Sequence, residues 1–445
     1  MENNPDLKAK KMGFPILAIV IFLCIAVSAA IFFYVRYWRV PVNEKEAERY
    51  RISGKDLYDK ILTAPSEENG WPLYVKAYKS LDLKSIKGNT PSQTIKTWVF
   101  RGIDSKEKKL VAEIIEKNKE AVKLAKEAAK KKIIAIGFEL PGKQLSASQL
   151  QVVSDNIKTI GILPGVLILA GDKEVEKGNN HEAAEIYLSA LSICRGFDPE
   201  GWGISFRVPI TAIINNRLGI LLFKLPDNDP VVKYILDELN RIQADIPDLK
   251  ASLYLNNYLS RECLKNMIQS QAAQIGKVPS DLIVDRELKS LDAAYLKLLE
   301  YADKLGYESM KDLDKIKAED KSLIAGSIMI DSDVRYFKMY QVKKVFINGL
   351  TIAAALKKYC GDKGGFPDKL EQLTPDYLSK IPEDPFGIDG KFTYIKNGKT
   401  DALLYSFGPD LLDNKGKECS QSSFRTSLKS MDGDLVFLKV KQQTR

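Results

Sequence analysis

Four aspartates near the end of the chain form the one arrangement with a clear chemical rationale. Asp410 and Asp413 lie close together, and Asp432 and Asp434 follow just before an apolar run. Carboxylate oxygens from a loop and from the strand after it are the hard ligands that Ca²⁺ prefers. The sequence therefore predicts a calcium site at these four residues. Solvated turn aspartates are the alternative.

Other patterns that carry chemistry are absent from the sequence. It contains no glycine-rich nucleotide loop and no Gly-x-Ser-x-Gly elbow. The only histidine, His181, begins a run one letter away from a zinc-protease signature, but Glu185 stands where the second histidine belongs. Two imidazole ligands are therefore impossible. We expect a non-enzymatic protein with no identified catalytic residue, cofactor-binding residue or small-molecule substrate; an enzyme with an unrecognised carboxylate site is an alternative.

The composition is that of a folded protein of two or three domains. The chain has 445 residues, 45% of them hydrophobic, and a formal net charge of +9. Its lysines are scattered along predicted helices, whereas a nucleic-acid binder concentrates its positive charge in a patch. We therefore expect no nucleic-acid partner.

An apolar segment near the start predicts a membrane anchor. The run 13–35 carries no charge and forms about 35 Å of helix at 1.5 Å per residue, enough to cross a hydrocarbon core of about 30 Å. Aromatic residues border its end, as at a membrane interface. A signal peptide cleaved near Ala29 is the alternative. We predict a cytoplasmic head at 1–12, a lipid-embedded helix at 13–35, and the bulk of the chain outside the cytoplasm.

The middle of the chain, from 43 to 330, has a helical pattern throughout. The stretch 105–132 has the pattern of one amphipathic helix. After Ser280, apolar residues recur at helical spacing up to a C-capping Gly306, and this stripe predicts a core-facing helix with Leu288, Leu291, Tyr295, Leu298, Ala302 and Leu305. A further helix is expected from about Asp333 to Tyr359, in which Gly349 provides for a close approach or a bend.

One segment of this region, about 166–195, resembles a single tetratricopeptide repeat. Small residues and a tyrosine fall at the repeat's relative spacings: Gly171, Gly178, Ala183, Tyr187 and Ala190. The resemblance implies two antiparallel helices that approach closely, with the tyrosine filling the gap between them. Glu174 and Arg195 replace the family's aromatic and proline, so we expect one hairpin and no repeat array.

The last part of the chain, about 350–438, resembles the C-terminal domain of the major pseudopilin of type II secretion. The resemblance lies in the order and spacing of five features. They are a helix ending in a tyrosine (Tyr359), a Gly-x-Phe-Pro step (364–367), a Pro-x-Asp-Pro-Phe-Gly turn (382–387) and two short strands (392–394 and 405–410). It implies a small antiparallel sheet packed on a helix. It also implies calcium at the acidic loop, where Asp410 and Asp434 match best, and a place at the bacterial inner membrane with the bulk extracytoplasmic.

The N-terminus departs from the pattern of filament-forming relatives. Lys11 to Phe14 looks superficially like a prepilin cleavage site, but Ala18 occupies the position where that family has a glutamate. About 300 residues also separate the apolar run from the C-terminal helix. We therefore expect that the protein is not a filament subunit.

Two cysteines flank the C-terminal module. If the body faces an oxidising compartment, Cys360 and Cys419 are the expected disulfide pair; buried thiols are the alternative.

The sequence thus predicts a mainly α protein with a C-terminal α+β module spanning 331–445, beyond the helical domain 43–330. Its expected function is that of an anchored envelope protein with a structural or interaction role, associated with secretion machinery and with protein partners. A helical peptide- or protein-binding module is the second class. Exposed groove-lining aromatics would favour that class, and a deep pocket with convergent acids would favour an enzyme.

Overall fold

The computed structural model describes residues 40–440 apart from 41, 66, 88–89, 135–146, 194, 196–203, 275–280, 305, 319–324 and 420–432. Within them lie thirteen α-helices: α1 Glu44–Leu62, α2 Trp71–Lys79, α3 Pro91–Arg101, α4 Lys108–Lys117, α5 Lys119–Ala129, α6 Ala147–Glu176, α7 Asn180–Ile193, α8 Ile204–Lys224, α9 Pro230–Asp245, α10 Leu249–Gln274, α11 Asp281–Asp303, α12 Tyr307–Ala318 and α13 Ala325–Lys363. Two 3₁₀ turns follow, Leu370–Leu373 and Ile388–Gly390, then strands β1 Thr393–Lys396, β2 Ala402–Ser406 and β3 Leu435–Val440.

The fold is mainly helical with a small three-stranded antiparallel sheet, which confirms the predicted class at that level. The long helix α13 packs against α8 to α12 on the helical side and against β2 and β3 on the other. The predicted domain boundary between 330 and 331 falls inside α13. One hydrophobic core accordingly runs from Trp71 in α2 to Leu438 in β3.

The stripe predicted after Ser280 faces this core. Leu288, Leu291, Tyr295 and Leu298 of α11 are all buried, as expected. The stretch 105–132, in contrast, is two helices, and the prediction of one was wrong. Asn118 separates them: its buried amide donates to the carbonyls of Ile114 and Asp82 and accepts the N–H of Asp82. These bonds tie the helix break to the α2–α3 loop.

Helices α6 and α7 form the predicted hairpin. A Cβ atom on Gly171 would lie 2.4 Å from the ring of Tyr187, so only glycine fits this contact. The Tyr187 hydroxyl donates to Asp172 at 2.6 Å, and Asp172 also accepts from Arg217 at 2.9 Å. Burial, reinforced by Asp172, raises the pKa of Tyr187. The close approach is confirmed, and the tetratricopeptide resemblance itself stays a prediction.

The sheet has the order β1-β2-β3 and packs on α13. Leu404 pairs with Leu438 and Tyr405 pairs with Val436, so Phe437 is the extra residue of a β-bulge. Its ring lies against Gly349, where an added Cβ would come within 2.5 Å. The bulge therefore aims Phe437 at the helix, and Gly349 provides the close approach predicted for it.

The predicted disulfide is wrong: no disulfide joins Cys360 and Cys419. Cys360 lies near Lys399 of the β1–β2 turn, whereas Cys419 donates its N–H to Asp434 at the other end of β2. A strand of five residues spans about 13 Å, well beyond the roughly 7 Å that a disulfide can bridge. Cys360 is buried, and burial raises the pKa of its thiol. This agrees with the alternative interpretation, a buried thiol.

No helix among the described residues is long and apolar enough to cross a membrane. The predicted head 1–12 and membrane helix 13–35 lie outside the described residues. The anchor therefore stays a prediction.

Candidate functional site

A groove with a largely apolar lining follows α8. Its first part is a cavity of about 280 Å³ between α8, α13 and β3, lined among others by Asn215, Ile220, Phe223, Phe346, Val436 and Leu438. Its second part is a cavity of about 340 Å³ between α3, α6 and α8, lined among others by Ile95, Val99, Gly165, Ile168, Ile210 and Ile213. We call the two together the α8 groove.

The two cavities are neighbours along one face of α8. Ile213 lines both of them. Ile210, Ile213, Ile220 and Phe223 are three or seven residues apart, a spacing that places them on the same side of a helix. Ile220 is 44% exposed although it lies within α8, one turn before its end at Lys224. This face of α8 is therefore apolar and incompletely covered by the described part of the chain.

Two helical glycines line the groove, and no described residue packs closely against either of them. A Cβ added at Gly161 or Gly219 would meet no atom within 4 Å. A glycine inside a helix lowers the stability by about 1 kcal/mol relative to alanine. At Gly165 the close packing of Ile95, which leaves no room for a Cβ atom, explains the glycine. The space at Gly161 and Gly219 leaves room for another backbone to approach the helices.

Asn215 gives the groove a polar group with unused hydrogen-bonding capacity. Its side chain is only 6% exposed. Both its Nδ2 and its Oδ1 are buried without a hydrogen-bond partner among the described residues. An unsatisfied buried polar group costs about 1–3 kcal/mol, so most native structures pair such groups. A carboxamide can both donate through its NH₂ group and accept through its carbonyl oxygen, so it can pair with the C=O and the N–H of a peptide group.

The third wall of the groove is the outer strand of the sheet. β3 pairs with β2 on one side. On its other side, the only β-bridge within the described ranges joins Asp434 to Glu418. Residues 434–439 all line the first cavity. The N–H and C=O groups of an edge strand form a template for pairing with another chain.

Three of the four predicted calcium residues, Asp410, Asp413 and Asp434, are described, and their carboxylate oxygens accept backbone hydrogen bonds at one end of this wall. The fully buried Asp434 accepts from the N–H groups of Asn414 at 3.1 Å and Gly416 at 2.6 Å. Asp410 accepts the N–H of Gly433, and Asp413 accepts from the Tyr405 hydroxyl. Burial raises the pKa of Asp434, and the charges of Asp413 and Asp410 reinforce that shift.

Asp410, Asp413 and Asp434 are thus close enough to interact electrostatically, but no group of three acidic, histidine or cysteine side chains among the described residues could hold a metal ion. Asp432 lies outside the described residues. The four-residue calcium site therefore stays a prediction.

The run that begins at His181 is structural. The imidazole packs against the Tyr234 ring with centroids 4.4 Å apart. Glu182 and Glu185 form ion pairs with Lys126 at 2.8 Å, which join α7 to α5. The charges of these carboxylates are therefore used in packing the helices.

The two acids with the most raised pKa lie away from the groove. Burial raises the pKa of Asp333 to about 8 and that of Asp384 to about 7. Asp333 contacts Ser260 on α10, while Asp384 accepts the N–H of Phe386 in its own turn. Their hydrogen-bond partners are different, and neither residue lines the α8 groove. The two acids therefore do not form a convergent acidic pocket there.

Reasoning from the sequence missed the α8 groove. α8 is apolar on almost every side, so its periodicity does not indicate which face stays uncovered. The one usable signal is the pair of Asn215 and Asn216, which together with Arg217 interrupts a largely apolar run.

No protein-family model, curated protein or solved structure matches this chain.

Proposed function

We propose that the protein is a membrane-anchored, non-enzymatic component of the bacterial envelope that binds an apolar segment of a partner protein in the α8 groove. The proposal joins two expectations from the sequence, the anchored interaction component and the protein-binding module. Its anchor is the run 13–35, and its C-terminal sheet packed on α13 is the arrangement that the pseudopilin resemblance implies. That resemblance supports an association with secretion machinery.

The unpaired carboxamide of Asn215 carries the proposal. An apolar groove by itself does not indicate a ligand. A buried amide whose nitrogen and oxygen both lack hydrogen bonds does, because it destabilises the protein unless a ligand supplies an acceptor and a donor. Peptide groups of a bound segment supply both, while apolar side chains of that segment fill the cavities beside Ile213 and Ile220.

Site-specific photo-crosslinking in membranes tests this function. A photoreactive residue at Ile220 should crosslink to a protein partner, and Asn215→Leu should reduce the yield because it removes the peptide-binding amide. The matched control is Leu412, an apolar residue that is 61% exposed and outside the groove. Equal crosslinking from both positions, or an Ile220 yield unaffected by Asn215→Leu, would contradict the proposal.

A further inference from the structure

A separate cleft lies on the other side of α13. It has a volume of about 550 Å³ and is bounded by the end of α9, by α13 and by residues 379–383. Its lining combines apolar and polar side chains, among them Pro247, Tyr340, Lys344, Asn348, Lys380 and Pro382. We call it the Lys344 cleft. A volume of this size is within the range of small-molecule sites.

Lys344 is the half-buried cation of this cleft. It is half-buried, and within the described ranges its ammonium has no hydrogen-bond acceptor and no carboxylate at ion-pair distance. Burial lowers the pKa of Lys344, and Lys380 lowers it further, while Glu383 and Asp248 act in the opposite direction. A cation removed from water without a counterion is unfavourable.

Three other polar side chains of the cleft, those of Gln243, Tyr340 and Asn348, are paired with groups of its walls. Asn348 donates to the Glu383 carbonyl at 2.7 Å and accepts from Gln243 at 2.6 Å. The Tyr340 hydroxyl donates to the carbonyl of Pro247. These bonds tie α13 to both of the other walls. The cleft is therefore held in shape by groups that have little capacity left for a ligand.

The charges of the cleft differ in their exposure. Asp248, Lys380 and Glu383 are exposed, so water solvates them and weakens their effect on a ligand. Lys344 is less exposed than these three, so its field is screened least. An anionic group that reaches Lys344 gains a charge-assisted hydrogen bond. The apolar walls at Ile246, Pro247 and Pro382 are suited to an uncharged organic body.

We propose that the Lys344 cleft binds a small organic carboxylate, with its carboxylate on the Lys344 ammonium and its apolar body between Pro247 and Pro382. This site is independent of the α8 groove and does not require a protein partner. It is formed by helix α9, helix α13 and the C-terminal module together, so an occupied cleft would join the helical part to the module.

Competitive labelling tests the proposal with benzoate as the probe and benzamide as its uncharged isostere. The full-length protein in detergent is acetylated with trace acetic anhydride, and the labelling rate of each lysine is followed by peptide mass spectrometry. Benzoate should slow the labelling of Lys344. It should not slow the labelling of the exposed Lys304, which directly follows the last residue of α11. Benzamide should protect Lys344 far less. Equal protection by the two compounds, or none, would overturn the proposal.

Calorimetry of variants provides the second readout. Lys344→Met should weaken benzoate binding by about tenfold or more, because it removes a charge-assisted hydrogen bond. Lys344→Arg should retain most of the affinity, and Lys304→Met should bind like the parent protein. Benzoate binding that survives Lys344→Met unchanged would overturn the assignment. The labelling experiment needs no variant, so it decides the question even if Lys344→Met fails to fold.

Discussion

Gly349 of α13 and Phe437 of β3 meet so closely that any side chain at position 349 would overlap the aromatic ring. An added Cβ would lie 2.5 Å from two ring atoms of Phe437. The same ring packs edge-on against Phe346 and Phe392 at centroid distances of 6.3 and 5.7 Å. This contact fixes the distance between α13 and the sheet. It therefore also sets the position of β3, which forms one wall of the α8 groove.

Gly349→Ala should destabilise the protein. Alanine normally stabilises a helix interior by about 1 kcal/mol relative to glycine, but here the added methyl group must displace a packed ring, and overpacking costs about 1–3 kcal/mol. Urea denaturation measures the change. Gly219→Ala is the matched control and should be stabilising, because a Cβ there meets no atom within 4 Å. A more stable Gly349→Ala variant would contradict the packing.

Arg195→Met should cost about 3 kcal/mol in unfolding free energy. The buried guanidinium donates to the carbonyls of Ala129 at 2.9 Å and Lys131 at 2.5 Å, and it forms an ion pair with Asp245 at 2.5 Å. Removing one partner of a buried pair leaves the others unsatisfied. Arg335→Met, at an exposed ion pair, should change the stability by less than about 0.5 kcal/mol. Similar losses in both variants would argue against the network.

Stability should decrease as the pH rises from about 4 to about 8. Burial raises the pKa of Asp333 to about 8 and of Asp384 to about 7, whereas an unfolded aspartate has a pKa of about 3.9. Between these values the folded protein holds protons that the unfolded chain releases. The stabilisation is therefore complete below about pH 4 and is lost as the pH passes through the folded-state values.

Urea unfolding at pH 5, 7 and 8.5 measures this dependence. Asp333→Asn should flatten the upper part of the profile, because the amide stays neutral throughout. Asp331→Asn, an exposed position on the same helix, should leave the profile unchanged. Higher stability at pH 8.5 than at pH 5 in the wild type would refute the assignment.

Asp434→Asn should destabilise the C-terminal loop by about 1–3 kcal/mol, because its carboxylate accepts the N–H groups of Asn414 and Gly416. The loss should appear in EDTA as well as in calcium. Asp376→Asn, at an exposed position, is the control. A loss confined to calcium-containing buffer would instead indicate that the predicted metal site supplies the stabilisation.

The protein should remain in the membrane pellet after carbonate extraction. The charge-free run 13–35 is long enough to span a bilayer, and a lysine at its centre, as in Leu23→Lys, should weaken insertion by about 3 kcal/mol. The conservative variant Leu23→Ile should behave like the wild type. Release of a shorter soluble form would identify the run as a cleaved signal peptide.

Much of the helical architecture follows from local pattern. The buried stripe of α11 at Leu288, Leu291 and Tyr295 repeats at helical spacing, and such a pattern requires a covered face whatever the partner is. The contact of Gly171 with Tyr187 was implied by the resemblance to one tetratricopeptide repeat, a motif whose two helices are joined by a short turn. Both features depend on residues that are near one another in the chain.

The α8 groove is formed by elements that are far apart in the sequence. α8 is apolar on nearly every side. Only the return of β3 more than 200 residues later, together with α3 and α6, decides that Ile220 stays exposed and that Asn215 is buried with no hydrogen-bond partner in the described part of the chain. The expected Cys360–Cys419 disulfide failed for the same reason, because the packing of α13 on the sheet and the strand register place the two cysteines near opposite ends of β2. Local sequence determines which faces must be buried; the packing of remote elements determines which of them are left open.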